Sequence, residues 1–126
     1  MPAARRPNIL IVENNAAVRS LVRAIVAPVA GTVYECTDGQ DALAAYVAHR
    51  PDVVLMDIAM PGLDGISATI QIRRVDPAAQ IVIVTSHNLP DLREAAFRAG
   101  TCGYVLKTDL LELRDLIAAC VADPQP

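Results

Sequence analysis

Five chemically useful residues fall directly behind short apolar runs. Glu13 and Asn14 follow Ile9-Leu10-Ile11-Val12, Asp57 follows Val53-Val54-Leu55-Met56, Thr85 follows Ile81-Val82-Ile83-Val84, and Lys107 follows Gly103-Tyr104-Val105-Leu106. Apolar runs of this length bounded by turn residues read as strands buried on both faces. In an open α/β sheet the carboxyl ends of the strands are where ligands and chemistry collect. Carboxylates, an amide, a hydroxyl and an ammonium would then meet at one edge. Such a set has a definite capacity: Asp57 can attack a phosphoryl group to form an acyl phosphate, and the added negative charge must be offset by cations. Oxygens from Glu13, Asn14 and Asp57 suit Mg2+, which takes octahedral oxygen coordination with one or two carboxylates and several waters. Lys107 would bring a second positive charge to a phosphoryl oxygen, and Thr85 a hydroxyl to another.

Each residue also has an ordinary reading. Glu13 and Asn14 could cap the helix that follows, Asp57 could be a turn residue ahead of Pro61-Gly62, and Lys107 could be a solvated charge. The lysine stands out because ten of the eleven basic residues are Arg and Lys107 is the only Lys. A compact ammonium at that position does what a planar guanidinium cannot. Four ordinary coincidences at four strand ends are harder to accept than one shared site.

The elements that must position these residues alternate along the chain. Strands are predicted at 8–12, 32–36, 53–56, 80–84 and 103–106. Val18, Leu21, Val22 and Ile25 recur at helical spacing after the first strand, in a helix that ends near Pro28. A second helix opens at a capping arrangement of Asp38 and Asp41, runs through Leu43, Tyr46 and Val47, and stops before Pro51. Asp64-Gly65 caps a third helix containing Ile66, Ile70 and Ile72. Pro90-Asp91 opens a fourth, with Gly100 at its exit. Leu110, Leu113, Leu116 and Ile117 mark a fifth. Five strands alternating with five helices predict one doubly wound α/β domain, a parallel sheet with helices on both faces, over residues 8–121. Residues 1–7 and 122–126 read as tails, the latter equally as the start of a linker.

The 126 residues suffice for one domain with a real core. The hydrophobic fraction is 53%, yet no stretch approaches the roughly 18 apolar residues of a membrane span. The first residues lack the apolar core of a signal peptide, an expectation of cytoplasmic location. A net charge of −3 with scattered basic residues, one Phe and no Trp disfavours a nucleic-acid surface. Cys36, Cys102 and Cys120 show no ligand-like spacing and read as reduced core or surface residues.

The chain resembles a response regulator receiver domain over nearly its whole length. The resemblance rests on Glu13-Asn14, on Val54 through the Asp57-Ile58-Ala59-Met60-Pro61-Gly62-Leu63-Asp64-Gly65 segment, on Ile83-Val84-Thr85-Ser86, and on Ala99-Gly100 through Gly103-Tyr104-Val105-Leu106-Lys107. It implies a flavodoxin-like (βα)5 sheet of strand order 2-1-3-4-5. It further implies two-component signalling, in which Asp57 accepts phosphate from a histidine kinase or phosphotransfer histidine. Mg2+ would be the cofactor, with the backbone carbonyl of Ala59 joining Glu13, Asn14 and Asp57 as ligands. Thr85 and Tyr104 would be the switch pair, the hydroxyl moving toward the phosphoryl group as the ring turns inward. The readout would be the face at 90–119, acting on a downstream protein or a fused effector domain. Such a protein is a signalling domain rather than an enzyme, beyond catalysing its own phosphoryl transfer and slow dephosphorylation.

Two positions, Asn14 and Thr108, depart from the family pattern, and two more, Ala59 and His87, fall where family members vary. Asn14 replaces the second acidic residue, which predicts weaker Mg2+ binding, partly offset by Glu13 reaching one methylene further than Asp. Thr108 replaces the proline that often follows the lysine, so the Lys107-Thr108 peptide is expected to be trans, with Thr108 or Asp109 capping the last helix. Ala59 and His87 lie two positions beyond Asp57 and Thr85, where side chains tune hydrolysis; Ala59 cannot orient a water, and His87 is expected to influence the lifetime of the phosphorylated state. The alternative to phosphorylation control is a receiver-like interaction module that signals without phosphate because Asn14 weakens the metal site. A flavin carrier is disfavoured, since no phosphate-cradling Gly-rich loop follows the first strand. The domain is expected to be a monomer or a phosphorylation-dependent homodimer, with Arg93, Arg98, Glu112, Arg114 and Asp115 available to pair across its last two helices.

Overall fold

Successive side chains on a strand point to opposite faces of the sheet, so an uninterrupted apolar run needs cover on both sides. The computed structural model, which describes residues 6–122, supplies that cover. Strands β1 (Ile9–Val12), β2 (Val33–Cys36), β3 (Val53–Met56), β4 (Ile81–Thr85) and β5 (Gly103–Leu106) form one parallel sheet of order β2-β1-β3-β4-β5. Helices α1 (Ala16–Val26), α2 (Ala42–His49), α3 (Gly65–Val75), α4 (Pro90–Ala99) and α5 (Leu113–Ala122) alternate with the strands. This is the doubly wound, flavodoxin-like arrangement expected of the residue pattern.

The two faces divide by residue parity. Ile9, Ile11, Val53, Leu55, Val82 and Val84 pack with Val22 and Val26 of α1 and Leu113 and Ile117 of α5. Leu10, Val12, Val54, Met56, Ile81 and Ile83 pack with Ala42 and Tyr46 of α2, Ala68 and Ile72 of α3 and Ala96 of α4. Burying each Leu, Ile or Val is worth about 1.5–3 kcal/mol, so the three central strands hold most of the apolar driving force.

Register sets where those ends lie. Val12 pairs with both Cys36 and Met56, so Glu13 and Asp57 emerge at one level on adjacent strands. The Asp57 N–H donates to the Val12 carbonyl at 3.1 Å and the Glu13 N–H to the Cys36 carbonyl at 3.0 Å. Thr85 pairs with Leu106, which leaves Lys107 one residue beyond the end of β5.

Several local expectations need correction. Leu21 and Val47 are about half exposed rather than core, because their helices turn only the Val22 and Tyr46 faces to the sheet. The residue capping α1 is Asn15, whose Oδ1 accepts the Val18 N–H at 3.0 Å. Only half of the Asp38–Asp41 arrangement forms: Asp38 accepts the Asp41 N–H at 2.9 Å, but Asp41, the residue before α2 and already in αR conformation, makes no side-chain cap. Asp64 does cap α3, accepting the Ser67 N–H at 2.9 Å. Neither Thr108 nor Asp109 caps the last helix. The chain leaves β5 through a 3-10 helix, Lys107–Glu112, with Asp109 at non-helical φ −122°, ψ 33°, and α5 begins only at Leu113. Leucines spaced by three suit 3-10 and α-helical turns alike, and the buried Leu110 belongs to the 3-10 segment. No cis peptide occurs among the described residues, as expected for Lys107-Thr108.

Candidate functional site

Three strand ends bring their charges into contact. Glu13 and Asp57 are both nearly buried, and Lys107 reaches between them, its Nζ 2.9 Å from Glu13 Oε1 and 3.2 Å from Asp57 Oδ2. Glu13 is fixed from its other side by the Asn15 N–H, which donates to Oε2 at 3.0 Å, while Arg19 Nη1 donates to the Glu13 carbonyl at 2.8 Å. The cap residue of α1 thus also holds the site. No spacing rule separates this role from that of an ordinary N-cap, and the sequence alone does not reveal it.

The remaining Asp57 oxygen is in an unusual position. Oδ1 is buried and has no hydrogen-bond partner, and a buried unsatisfied carboxylate oxygen costs on the order of 1–3 kcal/mol or more. Burial first, and then the Glu13 charge, hold the Asp57 carboxyl above its ordinary range, with Lys107 and the Ala59 backbone amide pulling it back. For Lys107, burial alone would lower the pKa. The hydrogen bond Lys107 donates to Glu13 and the charges of Asp57 and Glu13 outweigh it, and the net shift is upward. Perturbed groups facing each other at a cleft are a mark of functional chemistry.

The loop behind Asp57 is shaped by a glycine. A Cβ on Gly65 would lie 1.9 Å from the Asp57 carbonyl oxygen, and the Gly65 N–H donates to the Ile58 carbonyl at 2.9 Å. The start of α3 is therefore pressed directly against the backbone of Asp57. The segment 58–64 folds back over the strand end, leaving Ala59 exposed.

Thr85, Tyr104 and His87 form a second cluster linked through backbone. Thr85, fully buried, accepts the His87 N–H on Oγ1 at 3.3 Å, and Tyr104 donates its O–H to the His87 carbonyl at 2.7 Å. The Arg93 guanidinium lies 4.5 Å from the centre of the Tyr104 ring, within cation–π range. His87 thus takes part through its main chain, and its residue is exposed. This connection is invisible in sequence, where His87 draws attention only for its imidazole.

Asn14 is not drawn into the charged cluster. It is exposed, and among the described residues its side chain makes no hydrogen bond. Nor do any three His, Cys, Asp or Glu side chains among the described residues form a metal-binding group. Two carboxylates supplemented by amide or backbone oxygens is the sparse kind of set that Mg2+ accepts with its waters retained. The proposed pairing set at the last helices is partly engaged within the chain: Arg98 pairs with Glu94 at 2.6 Å, Arg114 donates to the Ile25 carbonyl at 2.7 Å, and Arg93 donates to Asn88 at 3.0 Å. No helix among the described residues is long and apolar enough to cross a membrane.

The chain is similar to known proteins. The response regulator receiver domain family matches residues 9–119. The chemotaxis protein CheY of Halobacterium salinarum is 35% identical over 99 residues, covering 79% of this chain and 82% of that protein. The response regulator UvrY of Escherichia coli is 36% identical over 102 residues, and there the chain spans only 47% of the relative's length. Among solved structures, a two-component response regulator of the LuxR family from Aurantimonas sp. SI85-9A1 superposes with a TM-score of 0.87 at 38% identity, covering 92% of this chain and 85% of that one. The receiver domain of Thermotoga maritima CheB, at 24% identity and a TM-score of 0.88 over 96% of this chain and all of that one, shares the fold. With a charged triad on the strand ends of a β2-β1-β3-β4-β5 sheet and a family match across nearly all of it, this chain belongs to the response regulator receiver domains of two-component signalling.

Proposed function

We propose that Asp57 accepts a phosphoryl group from a histidine kinase or a histidine phosphotransfer protein, and that the domain reports the event through the face of α4, β5 and α5. The observation that carries this reading is the divided state of the Asp57 carboxylate: Lys107 holds Oδ2, while Oδ1 is buried and unpartnered. In the transfer, a carboxylate oxygen of Asp57 forms the O–P bond as the P–N bond of the donor imidazole breaks. The bonding electron pair leaves with that nitrogen, and the ring, whose other nitrogen already carries a proton before the transfer, departs as neutral imidazole. Asp57 must be ionised to attack. Lys107 favours that state against burial and the neighbouring Glu13, and its ammonium remains to neutralise the acyl phosphate.

The orphaned Oδ1 and the adjacent Glu13 carboxylate fit a divalent cation. Glu13, Asp57, the Ala59 backbone carbonyl and the Asn14 amide would hold Mg2+, Asn14 by turning in from its exposed position. Mg2+, when bound, supplies positive charge to the phosphoryl oxygens. One relative in complex, CheY of Borrelia burgdorferi, is described with BeF3 and Mg.

Thr85 and Tyr104 serve as the switch pair. Drawing the Thr85 hydroxyl toward a phosphoryl oxygen would break its 3.3 Å contact with the His87 N–H, already near the limit of a hydrogen bond. The loop that holds Tyr104 outward through the His87 carbonyl is then released. Leu89 just before α4, Phe97 on α4 and Leu111 in the 3-10 helix are exposed large apolar side chains. They offer a downstream protein or a fused effector domain something to bind in either monomer or phosphorylation-dependent homodimer.

The test is to incubate the protein with Mg2+ and a small acyl phosphate and weigh the intact chain. A gain of one phosphoryl mass, absent in Asp57→Asn, is the expected result. No gain at saturating Mg2+ would refute it.

A further inference from the structure

Cys102 and Cys120 meet at the end of the sheet opposite Asp57. Cys102 lies in the short connection between α4 and β5, and Cys120 in the last turns of α5. Their sulfurs are 2.7 Å apart, and the Cys120 Sγ also lies 3.8 Å from the Cys102 carbonyl. Cys102 is exposed, with its sulfur 3.5 Å from the Ile81 carbonyl of β4, while Cys120 is buried behind it. Two sulfurs this close leave little motion between the thiol pair and a bonded pair. One partner faces solvent and the other waits within reach, the order that thiol–disulfide exchange requires. The third cysteine, Cys36, is buried on β2 and hydrogen-bonds the Asp38 carbonyl at 3.2 Å.

We propose that Cys102 and Cys120 are a modification site: a reversible disulfide formed by exchange with a low-molecular-weight disulfide such as oxidised glutathione. The Cys102 thiolate attacks one sulfur of the small disulfide, forming a mixed disulfide and expelling one small thiolate. The Cys120 thiolate then attacks the Cys102 Sγ, forming the internal S–S bond and expelling the second. The protein loses two protons and two electrons, and the small disulfide gains both as two thiols. A small thiol in excess reverses each step.

The cross-link would close a ring containing β5, the 3-10 helix and α5, which carries both Tyr104 and Lys107. It ties the start of β5 to the end of α5 without touching the Asp57 end of the sheet. Redox state would therefore set the stiffness of the unit that bears the site's cation and its aromatic ring. In a reducing compartment such a bond is transient and responsive to the thiol pool, the usual character of intracellular disulfides.

The experiment incubates the full chain with oxidised glutathione and follows intact mass and peptide maps, with Cys36→Ser present throughout to remove exchange with the third thiol. The expected product is two hydrogen masses lighter than the reduced chain, with the peptides containing residues 102 and 120 joined. It is abolished in Cys102→Ser and in Cys120→Ser and is reversed by dithiothreitol. The oxidised chain should also melt several degrees higher than the reduced one, since closing a short loop removes entropy from the unfolded chain. A glutathione adduct that stops at Cys102, chains joined through Cys102, or an oxidised form that melts lower would each overturn the proposal. The last would show that the bond forms only by distorting the native packing.

Discussion

Replacing Lys107 by Met removes the ammonium shared by two buried carboxylates while keeping the length and packing of the stem. At 2.9 Å from Glu13 and 3.2 Å from Asp57, each attraction is worth up to ~6 kcal/mol at an effective dielectric of about 20. Desolvating the ammonium offsets much of this. Breaking a buried pair by removing one partner costs about 3–5 kcal/mol, and because the Lys107 side chain is 21% exposed and reached by water, the low end, about 3 kcal/mol, is the expected loss near pH 8. The loss should shrink on acidification. The folded Asp57 carboxyl already titrates above its ordinary 3.8 because of burial and Glu13, and without Lys107 it titrates higher still. Over the window from 3.8 up to that raised value the folded state binds more protons than the unfolded one, so stability falls as pH rises through it. Below the window the carboxyl is protonated in both states and the penalty is absent. Urea unfolding of wild type, Lys107→Met and Lys107→Met with Asp57→Asn, each followed from below pH 3.8 up to pH 8, separates these effects. The single variant should lose stability relative to wild type as pH rises through that range, and Asp57→Asn should restore most of the difference at pH 8. An equal loss across the whole range, or no rescue by Asp57→Asn, would refute the account of two carboxylates held by one shared cation.

Asn14→Asp adds a charge at an exposed edge of the cluster; even ~1.4 kcal/mol of net attraction would raise Mg2+ affinity about tenfold, and an unchanged affinity in a Mg2+ titration would remove Asn14 from the metal set. Gly65→Ala places a methyl where only 1.9 Å separates it from the Asp57 carbonyl, so α3 or the Asp57 backbone must move; a loss of about 1–3 kcal/mol in denaturant unfolding is expected, together with slower phosphorylation by acyl phosphate. His87→Ala keeps both backbone bonds to Thr85 and Tyr104, so stability should stay within about 0.5 kcal/mol of wild type. Removing the ring should nevertheless speed loss of the phosphoryl group several-fold, and an unchanged rate in a mass-spectrometric time course would end its assigned role in hydrolysis.

Much of this protein was decided by local pattern. Runs such as Val53-Val54-Leu55-Met56 and Ile81-Val82-Ile83-Val84 have no polar face to offer solvent, so they must be buried on both sides, and the helical spacing between them supplies the cover. Turn chemistry was equally local: Asp64 before Gly65, Pro90 at the start of α4 and Gly100 in left-handed conformation at its end act as their residue types dictate. The alternation of elements and the strand-end polar residues were legible for that reason. Element boundaries after β5 were not, because leucines three apart fit a 3-10 turn as well as an α-helix, and packing of Leu110 decided between them.

What a sequence cannot carry is the distance between residues far apart along it. Glu13, Asp57 and Lys107 are plain as candidates, but only the register of β1 against β3, and of β4 against β5, puts one ammonium on two carboxylates and leaves Asp57 Oδ1 without a partner. The same applies to the His87 backbone bridge between Thr85 and Tyr104, to Asn14 remaining outside the cluster, and to two cysteines 18 residues apart meeting at 2.7 Å. Local propensity and hydrophobic period act over a few residues, so they determined the elements. Contacts between strand ends depend on register and helix packing, which exist only once the whole sheet has formed.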